Sequence, residues 1–309
     1  MFLPSIQEIQ TKNLTWINIS RVSPEEMKYL EENFHFHQLH LADCLNPAQR
    51  PKLDVGKNYL FIVLTFPIYH RKTRQIISSE VDFFIGTNFL VTVHRNELTP
   101  LINFFNLCQI SKSQQKKYFT GNPSVLLHKI LDCLFSHCDP ILETLQSSID
   151  SIEENIFRGY ERRMVKEILL VKRNIINFRR IMQAHESVID KFIAKCELLF
   201  SIGQFTPYFL ELKEKSGDIW DTLENLYQSI ITLEQTNNSL ISFRINDIIK
   251  ILTTISVIIL PITLIANIFS MNTRGIPFID EPNSFWIVLG LMSIVFISLL
   301  IYFKSKKWL

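Results

Sequence analysis

The sequence predicts an α/β domain, then long coiled-coil stalk helices, then two C-terminal transmembrane helices. Three observations carry this prediction. Short aromatic and β-branched runs separated by turn residues fill the N-terminal third, an apolar three-four repeat takes over near Leu142, and two uncharged apolar stretches lie close to the C-terminus.

Each element has a local reason. "LTWINIS" alternates as a half-buried strand does. In "SPEEMKYLEENF", Ser23 stands as N-cap and Pro24 at the first helical position, with Glu25 and Glu26 in the first turn. "NYLFIVLTFPIY" and "EVDFFIGTNFLVTVHR" are strand-forming, and Gly86 to Asn88 makes a turn inside the second stretch. The sheet is therefore expected to be largely antiparallel. "SKSQQKKYFTGNPS" reads as a loop that ends in a new helix.

Beyond it the period changes. Leu142, Leu145, Ile149, Ile152 and Ile156 form a coiled-coil seam, "FRGYERR" interrupts it at Gly159, and Ile168, Val171, Ile175, Phe178 and Met182 resume it. Two long helices folded back on each other satisfy this pattern better than one rod. After "SIGQFTP", Pro207 opens a further helix, and no stop signal falls between Ser216-Gly217 and Pro261, so that helix runs on into the membrane.

The apolar stretches are "ILTTISVIILPITLIANIF", residues 251–269, and "FWIVLGLMSIVFISLLIYF", residues 285–303. At ~1.5 Å per residue each is about 28 Å long, close to the thickness of a bilayer core. Trp286, Tyr302 and Trp308 lie where aromatic belts form. The tail "KSKKWL" holds three lysines, whereas the loop between the stretches holds one arginine and two acids. The positive-inside rule then puts the C-terminus in the cytosol, and two spans put the N-terminal domain there too. The expected localisation is the plasma (inner) membrane. The expected division is 1–120 cytosolic α/β domain, 121–246 helical hairpin and stalk helix, and 247–309 transmembrane domain.

Bulk properties exclude several classes. The 309 residues carry 32 basic and 30 acidic side chains; residues 247–309 hold five and three of these, which leaves 27 of each upstream. No basic patch of the kind nucleic acid demands is present, so nucleic acid is not an expected partner. "MFLPSIQEIQTKN" lacks a cationic region before an apolar core, so no cleavable signal is expected. Five scattered cysteines, Cys44, Cys108, Cys133, Cys138 and Cys196, read as reduced thiols of a cytosolic domain. No phosphate-cradling glycine loop and no catalytic pair stands out, so the chain is not expected to be an enzyme.

The first apolar stretch carries the functional signal. Asn246, Thr253, Ser256, Thr263, Asn267 and Ser270 are spaced by three, four or seven residues and share one helical face, flanked by Leu252 and Leu260. Polar side chains in lipid are costly, so this stripe must face other helices or water. Helix–helix hydrogen bonding satisfies that requirement. A pore lined by several copies of the helix satisfies it as well, because one chain with two spans cannot enclose a channel whereas a closed ring can.

Here the residues match a family. "PITLIANIFSMNTRGIPF", with the second stretch and its lysine tail, closely resembles the CorA-type magnesium transporters, whose hallmark is Gly-Met-Asn at the outer end of the first membrane helix. "WINIS", "HFHQLHLADCLNPAQRPKLD" and "YLFIVL" resemble the N-terminal domain of the same family, so the likeness covers essentially the whole chain. It implies a CorA-like funnel: a homopentamer whose stalk helices continue into the pore, admitting hydrated divalent cations passively. Ser270, Met271 and Asn272 fall at the selectivity motif, with Ser270 in place of the glycine. Asn246 matches an asparagine near the cytosolic end of the pore, Leu252 and Leu260 fall at apolar constrictions, and Thr263 at a pore-facing threonine. The family's Met-Pro-Glu loop becomes Ile276-Pro277-Phe278, with Asp280 and Glu281 displaced downstream as cation-attracting acids. Glu211 matches an acidic stalk position that helps bind a regulatory Mg²⁺ between subunits, and Gln235 falls where an acidic ring is common, beside Glu234.

The resulting expectation is divalent-cation transport, Mg²⁺ first and Co²⁺ or Ni²⁺ next. The ion is cargo and regulator, with no catalytic cofactor. The partners are further copies of the chain and the lipid bilayer. Alternatives are a Zn²⁺ transporter of the same superfamily and a non-transporting two-span sensor or scaffold. Lesser signals have plain local explanations. His37 and His40 in "HFHQLH" lie one helical turn apart but lack further zinc ligands, His128, Cys133, His137 and Cys138 scatter around a helix, and "ERRMVKEILLVKRN" reads as the wet face of a hairpin helix.

Overall fold

The computed structural model describes residues 5–46, 50–199, 202–271, 277, 283–306 and 308. Two compact units make up the chain, Met1–Glu234 and Gln235–Leu309.

The first unit opens with strands β1 (Ile6–Gln10) and β2 (Thr15–Ile19), helices α1 (Pro24–Phe34) and α2 (Gln38–Leu45), and strands β3 (Lys52–Val55), β4 (Leu60–His70), β5 (Gln75–Ile85) and β6 (Phe89–His94). They form one six-stranded sheet in the order β1-β2-β6-β5-β4-β3. Among the described residues only β2 and β6 pair in parallel; the other pairings are antiparallel, as the alternation predicts. Ser23 caps α1 as expected: its side chain accepts from the backbone N–H of Glu25, and its hydroxyl donates to Glu26.

Both faces of the sheet are covered, which is why its strands read as near-continuous apolar runs. Ile17, Val91, Phe84 and Phe61 pack under α1 and α2 with Met27, Leu30, Phe36 and Leu41. On the opposite face Trp16 sits edge-on to Phe105 at 4.8 Å and donates its indole N–H to Thr92 Oγ1 at 3.1 Å. Thr92 in turn donates to Asn18 Oδ1. A buried indole needs such a partner, and the strand pairing supplies it.

The following helices are α3 (Thr99–Ile110), α4 (Lys112–Tyr118), α5 (Pro123–Ser136), α6 (Asp139–Phe157), α7 (Glu161–Met182) and α8 (His185–Lys195). Helix α4 corrects the expectation of a plain loop over 111–124. Ser111 caps it by accepting from the Gln114 N–H, and Lys116 and Lys117 occupy its last turn, where cations favour the negative end. The seam is as expected: Leu142, Leu145, Ile149, Ile152 and Ile156 of α6, and Ile168, Val171, Ile175, Phe178 and Met182 of α7, are all buried. At ~1.5–3 kcal/mol for each such side chain, this seam outweighs the modest helix propensity of the polar face. Gly159 takes φ +93° between the two helices, a conformation that a side chain would strain.

The wet-face reading of α7 needs correction. Glu161 is buried, Glu167 receives Arg74 at 2.7 Å, and Lys172 holds Glu234 at 2.6 Å. Asn174, also buried, accepts from the Ile76 N–H and donates to the Arg74 carbonyl, strapping α7 to the start of β5. The last two helices are α9 (Thr206–Ser270) and α10 (Ser284–Ser305). Helix α9 begins beside Pro207, passes Ser216-Gly217 and carries Pro261 in its interior without a break. Within the first unit, Arg179 of α7 lies over the rings of Trp220 and Tyr227, at 5.3 and 4.5 Å, and pairs with Glu224.

Candidate functional site

The Gln235–Leu309 unit contains the C-terminal half of α9 and all of α10, the two helices among the described residues that are long and apolar enough to cross a membrane. A soluble core helix would be mostly buried, whereas these spans are mostly unburied in the single chain. Apolar surface of that extent is stable only against lipid or other subunits.

The burial pattern of α9 divides it into two sides. Thr254 and Ile258 are buried, and Pro261, Ile262, Ile265, Ala266 and Phe269 are partly buried. At about 100° per residue these positions form one face. Asn246, Leu252, Thr253, Ser256, Leu260, Thr263, Asn267 and Ser270 are all exposed and lie on roughly the opposite face. On α10 the half-buried or buried positions are Ser284, Val288, Met292, Val295, Leu299 and Phe303, spaced by three or four, with Leu300 beside them. Ala266, Phe269 and Ser270 share a cleft of about 430 Å³ with Ser284, Phe285, Val288 and Met292. At the other end of the unit, Lys250 lies over the Trp308 ring at 5.8 Å, and the Trp308 ring meets that of Phe303 at a tilt. Apart from Ser270, which also lines the cleft, the polar stripe is thus free of the helix pair's own packing.

Its side chains present oxygen lone pairs. Ser256 donates its hydroxyl proton to the Leu252 carbonyl at 2.9 Å, and Thr263 donates to Ile259 at 3.0 Å. A hydroxyl whose proton is given to the preceding turn offers only acceptor capacity outward. A hydrated cation presents only water O–H groups, so this is the matching polarity. The side chains of Asn246 and Asn267 make no hydrogen bond within the chain among the described residues and can turn either amide end outward. Leu252 and Leu260 are 63% and 67% exposed, so two apolar rungs interrupt the polar face.

The stripe extends further than the sequence reading took it. Gln235, Ser239 and Ser242 precede Asn246 at the same four-three spacing, and all three are exposed. Upstream on α9, Glu211, Glu214, Asp218, Asp221, Asn225, Gln228 and Thr232 continue the series and are likewise exposed. The signal was present in the sequence as a heptad-like repeat of polar residues, which a search for apolar seams passes over. Such a repeat drifts by ~20° per heptad on a straight helix and stays in line only on a left-handed supercoil.

Other predicted residues separate from this stripe. Met271 follows Ser270 and is exposed, whereas Asn272, Asp280 and Glu281 lie outside the described residues. Glu234 is engaged by Lys172, while Gln235 beside it is exposed. The histidines of "HFHQLH" serve the α/β unit. Nδ1 of His37 accepts from the Leu39 N–H, while Tyr59 accepts from the His37 N–H and donates to His40 Nδ1. Burial holds the His40 pKa below its ordinary value, consistent with a neutral acceptor. His128 lies against Tyr208 and Phe209, and the Cys138 thiol faces the Leu134 carbonyl. Among the described residues no three His, Cys, Asp or Glu side chains converge as metal ligands.

An α/β unit followed by two unburied apolar helices, the first with an uncharged polar face turned away from its neighbour, defines a membrane protein built to place polar groups inside the bilayer. The sequence profile described as "CorA-like Mg2+ transporter protein" matches residues 11–306. The chain belongs to this family. It is 27% identical over 301 residues to the cobalt/magnesium transport protein CorA of Thermotoga maritima, which covers 96% of this chain and 83% of that protein. Its fold is similar to the complete structure of the CorA magnesium transporter of Methanocaldococcus jannaschii, with a TM-score of 0.85 at 21% identity, over 98% of this chain and 94% of that one. The ZntB cytoplasmic domain of Vibrio parahaemolyticus is similar in fold at a TM-score of 0.62 and 11% identity, over 75% of this chain and 89% of that one.

Proposed function

We propose that this chain is one subunit of a homopentameric transporter that passes divalent cations, Mg²⁺ foremost, across the plasma (inner) membrane. The observation that carries the reading is the polar face of α9, which is exposed in the single chain and lies opposite the face packed with α10. Five copies of that face around an axis make an uncharged pore from Asn246 to Asn272. Met271 and Asn272 stand where the family keeps its motif, and Leu252 and Leu260 form the narrow apolar rungs. In this reading residues 1–120, 121–246 and 247–309 are the α/β domain, the hairpin with its stalk, and the pore domain, and both termini are cytoplasmic.

Mg²⁺ sheds its waters reluctantly, so neutral amide and hydroxyl oxygens serve it by binding the hydration shell. Five Asn272 carbonyls form such a ring without trapping the ion as five carboxylates do. An inside-negative potential of ~100 mV supplies about 4.6 kcal/mol per divalent ion, so no nucleotide hydrolysis is required. Glu211 is the residue to hold a regulatory Mg²⁺ between subunits, and Asp280 with Glu281 draws cations to the outer mouth.

A scaffold that transports nothing has no use for an uncharged polar face through the membrane depth. A Zn²⁺ transporter is the reading favoured by Ser270 standing where the motif has glycine. Flux into liposomes containing the purified protein, compared for Mg²⁺, Co²⁺, Ni²⁺ and Zn²⁺, decides between them. Mg²⁺ flux is the expected outcome, Zn²⁺ flux alone assigns the zinc branch, and no flux of any ion refutes transport.

A further inference from the structure

A pocket of about 310 Å³ lies in the Met1–Glu234 unit between the end of α4, the start of α5 and the first turn of α9. It has no part in the polar face of α9 described above. Its walls include the rings of Tyr118, Phe205 and Tyr208, and His128 stands edge-on to Tyr208 at 5.3 Å. Among the described residues the His128 imidazole makes no hydrogen bond, so this half-buried ring keeps a donor and an acceptor for an incoming molecule.

The charges here favour an anion. Lys117 is exposed at the rim, lies over the Tyr118 ring at 5.2 Å, and has no carboxylate within ion-pair distance among the described residues. The one carboxylate lining the pocket, Asp132, is held by Lys129 at 2.7 Å and by Lys215 at 3.3 Å. Three lysines against two acids, Asp132 and Glu211, whose charges both act on His128, leave the site net positive. Flat aromatic walls beside that charge fit a planar ring bearing an anionic group. A purely apolar ligand would leave Lys117 unmatched, and a bare phosphate would leave the aromatic walls empty.

We propose that this pocket binds a nucleotide, with its base against Tyr208 and Phe205, the base edge toward His128, and its phosphate between Lys117 and Lys129. The volume is at the small end of the ~300–1,000 Å³ range of ligand sites, which favours a mononucleotide. Base–aromatic stacking tolerates any base, and lysines bind phosphate as point charges. Bound there, the ligand would tie α4 and α5 to the first turn of α9.

The test uses the full-length protein in detergent with EDTA present, and equilibrium dialysis against AMP, adenosine and inorganic phosphate as separate arms. Binding is read without transport, so its outcome is independent of the ion reading. We expect saturable AMP binding, weakened about tenfold or more by Tyr208→Ser and by Lys117→Glu, with adenosine and phosphate each at least about tenfold weaker than AMP. Both substituted side chains are exposed, so neither change removes core packing. Absence of saturable AMP binding overturns the proposal, as does AMP binding that neither substitution weakens. Phosphate binding as tight as that of AMP overturns it too, by reducing the pocket to an anion site.

Discussion

Acid should destabilise the α/β unit through two buried histidines, and His185→Phe should remove a measurable share of that loss. His185 is fully buried between the rings of Phe66 and Phe135; its Nδ1–H donates to the Met182 carbonyl at 3.2 Å, and its Nε2 has no hydrogen-bond partner among the described residues. His94 is held as one tautomer, because its Nδ1 accepts from the Asn96 N–H and its Nε2–H donates to Asn18 Oδ1. Burial pushes both down from 6.5 to about 4. A base whose folded pKa is depressed resists protonation in the native state while the unfolded chain accepts the proton. Its stabilising contribution is therefore present above about pH 6.5 and is lost as pH falls toward about 4. The full gap is worth about 3.4 kcal/mol per histidine, and about 2.5 kcal/mol of it is gone at about pH 4.5. Against a typical net stability of ~5–15 kcal/mol, losing that amount twice is a large fraction. The buried Asp82 carboxyl, pushed up by desolvation, works in the opposite direction, since acid relieves its penalty. Comparing wild type with His185→Phe cancels the Asp82 effect, which both proteins share. Guanidinium unfolding in detergent, followed through the buried Trp16, should show a pH 7 to 4.5 loss smaller by about 2.5 kcal/mol in the variant. Equal pH dependence in the two proteins would refute the argument.

Four further outcomes are expected. Native mass spectrometry in mild detergent should show a pentamer, and a stable monomer or dimer counts against an axis lined by residues 246–272. Asn272→Ala should abolish flux and leave the oligomer intact, whereas Ser270→Gly should move preference toward Mg²⁺; wild-type flux in Asn272→Ala would make the motif a mere helix terminator. Glu211→Lys should reduce the protection that Mg²⁺ gives the stalk against protease, because the ion binds one conformational state better. Unchanged protection relegates Glu211 to a solvated charge. Pro261→Ala should slow amide exchange around Val257 to Pro261 in the membrane-embedded protein; unchanged exchange would mean that neighbouring helices already stiffen that turn.

How far the sequence was legible depended on which physical term dominated locally. The hairpin seam was visible, because Leu142, Leu145, Ile149, Ile152, Ile156, Ile168, Val171, Ile175, Phe178 and Met182 all answer to one term, apolar burial at helical spacing. The parallel pairing of β2 with β6 was hidden, since Thr15 to Ile19 and Phe89 to Val93 meet only through a long connection that leaves no local trace. Helix α4 was missed because its residues are polar on every side, and its stability rests on the Ser111 cap and its lysines. The polar stripe of α9 was legible from its three-four-seven spacing, whereas its upstream continuation through Gln235, Ser239 and Ser242 was not, because those residues lie before the apolar stretch. Glu167 and Lys172 looked like solvent charges because their ion pairs with Arg74 and Glu234 join positions distant in sequence.

Pro261 gives the first membrane span a mechanical property that its composition conceals. Proline has no N–H, so the Val257 carbonyl lacks the donor that would close its turn, near the middle of residues 251–269. A rod short of one internal tie near its centre bends most easily there. The soft section falls one residue past the exposed Leu260 rung, so flexing would tilt the outer half, carrying Thr263, Asn267 and Ser270, relative to the half carrying Leu252 and Ser256. In the proposed assembly, a small bend at this level would change the clearance between Leu260 side chains of neighbouring copies before it disturbed either end of the span.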